Sequence, residues 1–342
     1  MSKISTIAAM IDSYTNTAIK NYVKSHDEST YFPKEMWDEL TNEMDIFLPI
    51  LSEENHTLSS DFITFIRKIA NEFAALSAIL LTQGCYGIYS ILNFGTAEQK
   101  ELYLEKLLKG QYIAGLGFCE YKHLKGLKDL ETYATKTEQG WCLSGKKAMI
   151  SNSSVADILL VLAKVKEQGK VEKYGLFIVD PKDSDVLIGE QIEKPGLIGL
   201  PLSSVTLKNV LLPENALLGD ELAGDVQFAN IIKNMQLGLS AIALGVAEGA
   251  FNKGIEFAKV KRGFGKRLID VEIHQNKFAD LYNKLCSAEA YFDSYPSQIE
   301  EDAKFVSRIK LYTTKVAIEI SDEILRLIGP LQKFDKVNIK RY

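Results

Sequence analysis

The stretch from Gly224 to about Leu281 limits what this chain can fold into more than any other. It reads as two long helical segments joined at KRGFGKRL, Lys261 to Leu268. On the first segment Val226, Phe228, Ile231, Ile232, Met235, Leu239, Ile242, Val246, Phe251 and Ile255 recur with a helical rhythm. Gly238, Ser240, Ala241, Ala243, Gly245, Ala247, Gly249 and Ala250 fill the faces between them. A helix that is apolar or small nearly all round must be covered by neighbours on several sides, and small residues let those neighbours come close.

The rest of the chain divides around it. Ser5 to Val23, Glu35 to Phe47 and Leu58 to Leu81 have helical spacing, and Gly84 and Gly87 punctuate the last of these. Thr96 is placed to cap AEQKELYLEKLL, which should end at Gly110. From Tyr112 the character changes. Ile113 to Cys119, Thr132 to Thr137, Trp141 to Ser144, Ile158 to Val165, Tyr174 to Val179 and Ser204 to Val210 are short β-forming runs separated by Gly and Pro. Helix returns over Gly224 to Lys261, Val271 to Tyr295 and Asp302 to Ile328. Strands and helices do not alternate, so a doubly wound sheet is disfavoured. The spacing predicts an α+β multidomain chain: a helical domain over 1–112, an antiparallel β-barrel or sandwich over 113–219, and a helical bundle over 220–342.

Composition narrows the partners. The net charge is -5, with no basic block that would make nucleic acid the main partner. Cys85, Cys119, Cys142 and Cys286 are scattered, with no metal-binding spacing, which fits a reducing cytoplasm. No signal peptide is read at the N-terminus, and no apolar run is read as membrane-spanning.

Five stretches, in the right order, resemble the acyl-CoA dehydrogenase family. They are NFGTAEQKELYLEKLLKG (Asn93 to Gly110), LSGKKAMISNSSVADILLVLAKV (Leu143 to Val165), GLPLSSVTLKNVLLPENALLG (Gly199 to Gly219), ALGVAEGAFNKGIEFAKVKRGFGKRL, and HQNKFADL. The resemblance implies FAD held between the β-domain and a C-terminal helical bundle. It also implies an acyl thioester substrate, on coenzyme A or a carrier protein, and a second subunit closing part of the site.

Carried over residue by residue, the scaffold matches better than the chemistry. Phe118 and Cys119 open the loop that the family uses against the flavin, and Cys119 stands where threonine or serine is usual. Leu124, Lys125 and Gly126 replace a glycine-serine-aspartate turn, and Lys125 or Lys128 would substitute charge for backbone dipoles at the pyrophosphate. Met149 takes the place of a tryptophan beside the ring, and Ser151 that of a hydroxyl-bearing threonine. A strand methionine is more often plain core, although a thioether can pack against an aromatic ring system. Lys261, with Arg262 beside it, replaces the arginine that reaches a neighbouring subunit's FAD, while Phe264 matches. Glu272 stands for a glutamine, Arg326 for another, and Gly329 is kept before Pro330.

The base is the largest departure. One family placement lies beyond the final KVNIKRY stretch. The other, on the long helix, falls on Met235, with Gln236 and Lys233 at the nearby arginine and aspartate positions. Glu221, Asp225, Glu248 and His274 are the residues left to weigh as substitutes.

Three functional readings follow. The first is an FAD-dependent oxidoreductase of an acyl thioester's CH–CH bond. The second is a catalytically silent member, acting as a binding protein or as the partner of an active homologue. The third keeps flavin with different chemistry. Apolar surface on Leu268 to Tyr291 and Asp302 to Ile328 predicts self-association as a homodimer or homotetramer.

Overall fold

The computed structural model describes residues 3–25, 31–52, 57–122, 126–165, 173–260, 267–295 and 304–329. The long helix is continuous from Gly224 to Lys259, 36 residues, and is called α7 here, counting helices from Lys3. At about 1.5 Å per residue it spans roughly 54 Å. It packs against α4 (Ser60–Thr82), α8 (Glu272–Asp293) and α9 (Phe305–Ile328).

Its small residues mark where those neighbours come closest. A Cβ on Gly238 would lie 2.2 Å from Leu81 of α4. On Gly245 it would lie 2.3 Å from the Arg67 carbonyl oxygen of the same helix, and on Gly254 2.4 Å from Ile324 of α9. One continuous apolar core therefore runs through both helical regions, from Ile66 and Leu76 through Leu237 and Leu244 to Ile309 and Ile320. Val226 departs from the expected apolar stripe: it sits in the first turn of α7 and is exposed.

The helical stretch beginning with α4 differs from its sequence reading in two ways. Gly84 and Gly87 do not end it; it continues through a π-helical segment, Gln83–Tyr89, into α5, Ser90–Phe94. Both glycines serve packing, because a Cβ on Gly84 would meet the Phe62 ring and one on Gly87 would meet Ala114. The 35 residues from Ser60 to Phe94 are also long and apolar enough to cross a membrane, which the sequence reading missed, yet 94% of the apolar window is buried inside the fold. The real interruption is at Phe73 (φ -143°, ψ 83°), where the Ser77 hydroxyl donates to the Ile66 carbonyl. The cap at Thr96 is as expected, and Gln99 completes a capping box at the start of α6, Ala97–Leu108.

The middle region is a curled mixed sheet of seven strands: β1 Ala114–Gly117, β2 Tyr133–Thr137, β3 Gly140–Ser151, β4 Ile158–Val165, β5 Lys173–Val179, β6 Val186–Gln191 and β7 Leu202–Pro213. β6 was not anticipated, because VLIGEQ places Gly, Glu and Gln on a largely exposed edge strand. The pairs β2–β3, β3–β7, β6–β7 and β4–β5 are antiparallel. β1 and β2 both join β4 in parallel, which the expected all-antiparallel arrangement did not include.

Registers show how this is done. β1 pairs with Ile158 to Val161, β2 with Lys164 and Val165, and β5 with all of Leu159 to Val165. Since a strand has two edges, β1 and β2 lie end to end along one edge of β4, with a gap opposite Leu162. Alternation along β4 sends Leu159, Val161, Ala163 and Val165 into a core inside the curl, with Trp141 and Phe177. Ile158, Leu160 and Leu162 face the helices instead.

Two buried glutamines fasten the junctions. Gln83 donates to the carbonyls of Leu107 and Tyr112 and accepts from the Ala114 N–H. Gln99 donates to the carbonyls of Asn215 and Leu217 and accepts from the Thr96 and Gly219 N–H groups. Gln83 satisfies backbone groups at the start of β1, and Gln99 those in the turns after β7, that would otherwise be orphaned.

The close approach at Gly245 is testable. Gly245→Ala should gain helix propensity of about 1 kcal/mol yet lose about 1–3 kcal/mol net by forcing α4 outward. Gly196→Ala, with nothing within 4 Å of the added carbon, should stay within about 0.5 kcal/mol of wild type. Urea unfolding midpoints measure both.

Candidate functional site

The gap between β1 and β2 opens into a cleft of about 610 Å³. The connecting segment supplies Phe118, Cys119, Glu120, Tyr121, Lys122, Gly126, Leu127 and Leu130 to its wall. β3 adds Met149, β4 adds Leu162, and α7 adds Phe228. The volume is in the range of small-molecule sites, and the wall is mainly apolar. Phe118 and Phe228 close one side, their ring centroids 5.1 Å apart. That contact joins the end of β1 to the first turns of α7.

Met149 is not core. It is 49% exposed and faces the cleft, while Ala148 and Ile150 on either side are buried. The pairing of β3 with β7 slips register between Lys147 and Ile150, which marks an irregularity at this point. Ser151 ends β3, paired with Leu202. Cys119 is half-buried and free, and burial pushes its thiol above the usual value, with the Lys147 charge opposing.

Beneath this wall lies a pair that the sequence reading missed. Lys147 and Glu120 are bonded at 2.8 Å, with side chains 0% and 2% exposed. Glu120 also accepts from the N–H groups of Glu131 and Thr132. Burial alone would raise its pKa, but the Lys147 charge and these hydrogen bonds outweigh it and hold the carboxyl below the usual range. Burial pushes Lys147 down to about 8, with Glu120 opposing. A lysine in a strand pattern gives no sequence signal of burial unless its carboxylate, 27 residues away, is already paired with it.

The other candidate residues lie elsewhere. Lys125, Lys261 and Phe264, with Arg262, fall outside the described residues. Glu272 is exposed at the start of α8. Arg326 is exposed near the end of α9, bonded to Glu323 at 2.8 Å, and Gly329 follows that helix with φ 56°. None of these three lines the cleft. Met235 is half-buried on α7 and packs against the helical core. Neighbouring Gln236 accepts from the Ser307 hydroxyl.

The substitute carboxylates are also accounted for. Glu248 lies 20 residues beyond Phe228 on α7, about 30 Å along the helix. It pairs with Arg67 at 3.5 Å, and Arg67 also bonds Glu289. Glu221 and Asp225 are exposed before and in the first turn of α7, and His274 is half-buried on α8. Among the described residues lining the cleft, Glu120 is the one carboxylate. No group of three or more His, Cys, Asp or Glu placed to hold a metal occurs among the described residues.

The cleft fits the ring of a flavin. Its wall is apolar, Met149 presents a thioether to it, and Gly126 leaves open space where a side chain would stand. Cys119 adds a weakly hydrogen-bonding thiol to the wall, whereas Ser151, two residues beyond Met149, is not among the lining residues.

Comparison with known proteins agrees with this geometry. Residues 3–111 match the acyl-CoA dehydrogenase N-terminal domain, 115–210 the middle domain, and 226–332 the C-terminal domain. The chain is 25% identical over 308 residues to a 3-(aryl)acrylate reductase of Clostridium sporogenes, covering 89% of this chain and 82% of that protein. It is 24% identical over 270 residues to an L-prolyl-[peptidyl-carrier protein] dehydrogenase of a Serratia strain, covering 78% and 70%. Its fold superposes on a glutaryl-CoA dehydrogenase from Mycobacterium smegmatis in complex with FADH2 with a TM-score of 0.88, at 22% identity, over 100% of this chain and 88% of that one.

The buried pair should behave as a unit. Lys147→Met or Glu120→Gln alone should cost about 3–5 kcal/mol, because each leaves an unsatisfied buried partner, while the double variant should recover most of that loss. Glu120 titrates below its unfolded value, so its share of stability is present above about pH 4 and is lost as pH falls through the folded value. Urea unfolding at pH 7 and at pH 3 should show that acid-labile share in wild type and not in the double variant.

Proposed function

Because the chain belongs to the acyl-CoA dehydrogenase family, we propose that its cleft takes FAD and the acyl group of a thioester, carried by coenzyme A or a carrier protein, and that it works as an FAD-dependent oxidoreductase on the CH–CH bond. The observation that carries this reading is the apolar cleft at the β1–β2 gap, with an exposed Met149 facing it. FAD, when bound, supplies the acceptor for a hydride leaving the acyl chain. Phe118, Met149, Leu162 and Phe228 would hold the ring system and exclude water, which strengthens every polar interaction made there. Cys119 and Ser151 would offer hydrogen bonds. Lys125, Lys261, Phe264, Glu272, Arg326 and Gly329 are proposed for the nucleotide end, some of them acting on a neighbouring copy.

Self-association belongs to the same proposal. Leu311 and Ile318 on α9, and Ile273 and Tyr282 on α8, are large apolar side chains left exposed in a single copy. They support a homodimer or homotetramer. The free cysteines support a reducing cytoplasm as the compartment.

A specific observation favours the second reading, a catalytically silent member that binds a ligand or partners an active homologue. Removing a proton next to a thioester carbonyl needs a free carboxylate within hydrogen-bond reach. Glu120 is committed to Lys147 and two backbone N–H groups, and the position on α7 is Met235.

Flavin content tests the shared part. The purified protein should be yellow and release FAD on denaturation; a preparation that stays colourless after incubation with FAD removes the oxidoreductase reading. If it is yellow, anaerobic bleaching by short acyl thioesters separates the two. An active enzyme bleaches as wild type. A silent one keeps its flavin oxidised.

A further inference from the structure

We propose that Glu120 and Lys147 are a positioning pair: together they fix how Cys119 and Met149 are presented to the cleft. The pair stands one residue from Cys119 and two from Met149. Glu120 ties the start of the cleft-wall segment to its end, through the N–H groups of Glu131 and Thr132. The Ala148 N–H donates to the Cys119 carbonyl at 2.8 Å, joining that segment to β3. The register slip in β3 begins at Lys147, and Met149 is exposed within it. Gly117 makes room for the lysine stem, because a Cβ there would lie 3.1 Å from Lys147 Cγ and 2.8 Å from Ile150 Cδ1. A buried ion pair is commonly no more stabilising than apolar residues of the same volume. Its contribution here is where it places its neighbours.

Cys119 is the reporter. The charged and titratable groups that bear on its thiol are Lys147 from β3 and Tyr86 from the π-helical segment. The double variant Glu120→Gln/Lys147→Met leaves no unpaired buried charge. Its folding is checked by cooperative urea unfolding, and iodoacetamide labelling of the full chain is followed by mass spectrometry across pH 6 to 10.

Release of the segment should change the Cys119 labelling rate at pH 10, the top of the range, by about three- to tenfold through its accessibility, in addition to the shift of the profile to higher pH that loss of the lysine charge alone produces. Cys142 and Cys286 should label as in wild type. Lys147→Arg, which keeps the charge, should return the profile toward wild type. A Cys119 rate at pH 10 that is unchanged in the folded double variant, or that moves together with those of Cys142 and Cys286, overturns the proposal. If the double variant does not fold, Glu120→Asp decides it: the shortened carboxylate must alter Cys119 labelling alone. None of this needs flavin, so a colourless wild type ends the FAD reading while leaving this one standing or falling on Cys119.

Discussion

The contact of α7 with α4 and α9 carries the rest of the molecule. At Gly238, Gly245 and Gly254 the neighbouring helices come so close that no Cβ fits without a shift. Close-packed interiors do not absorb such a shift cheaply. This is why the long helix has glycines at points where alanine would be the better helix former. With α7 held there, its N-terminus reaches the sheet, where Gly224 lies against the backbone of Tyr174 and Gly175. Phe228 then arrives one turn later at the open side of β4.

The cleft itself is a consequence of strand topology. Two short strands share one edge of β4 and leave a gap between them, and the segment linking them has to leave the sheet. That segment would be an unpaired loop over an apolar strand without something to fasten it. Glu120 does so from inside, while Gln83 and Gln99 fasten the two chain crossings between the helices and the sheet. All three are buried polar side chains whose hydrogen bonds are mostly to backbone, the arrangement that a polar group needs to be tolerated in a core.

The same accounting bears on the chemistry. The helix carries Glu248, but Arg67 draws it toward Glu289 on the outside of the bundle. The cleft carries Glu120, but it already accepts from an ammonium and two N–H groups. A carboxylate stabilised in its charged form in this way is a weak proton acceptor, since each hydrogen bond to it must be weakened as it protonates.

The sequence alone determined the order of domains and the family, because both rest on periodicity and local motifs. The α7 pattern, the Thr96 cap and the Ile158 to Val165 strand are written in neighbouring residues. Tertiary structure decided what depends on distant partners. It placed β1 and β2 on one edge of β4, turned Gly84 and Gly87 from helix ends into packing sites, and exposed Met149, a residue type as much at home in a core. It also buried Lys147 against Glu120, which no local pattern announces, because a charge enters a core only when a partner from another element is there to meet it.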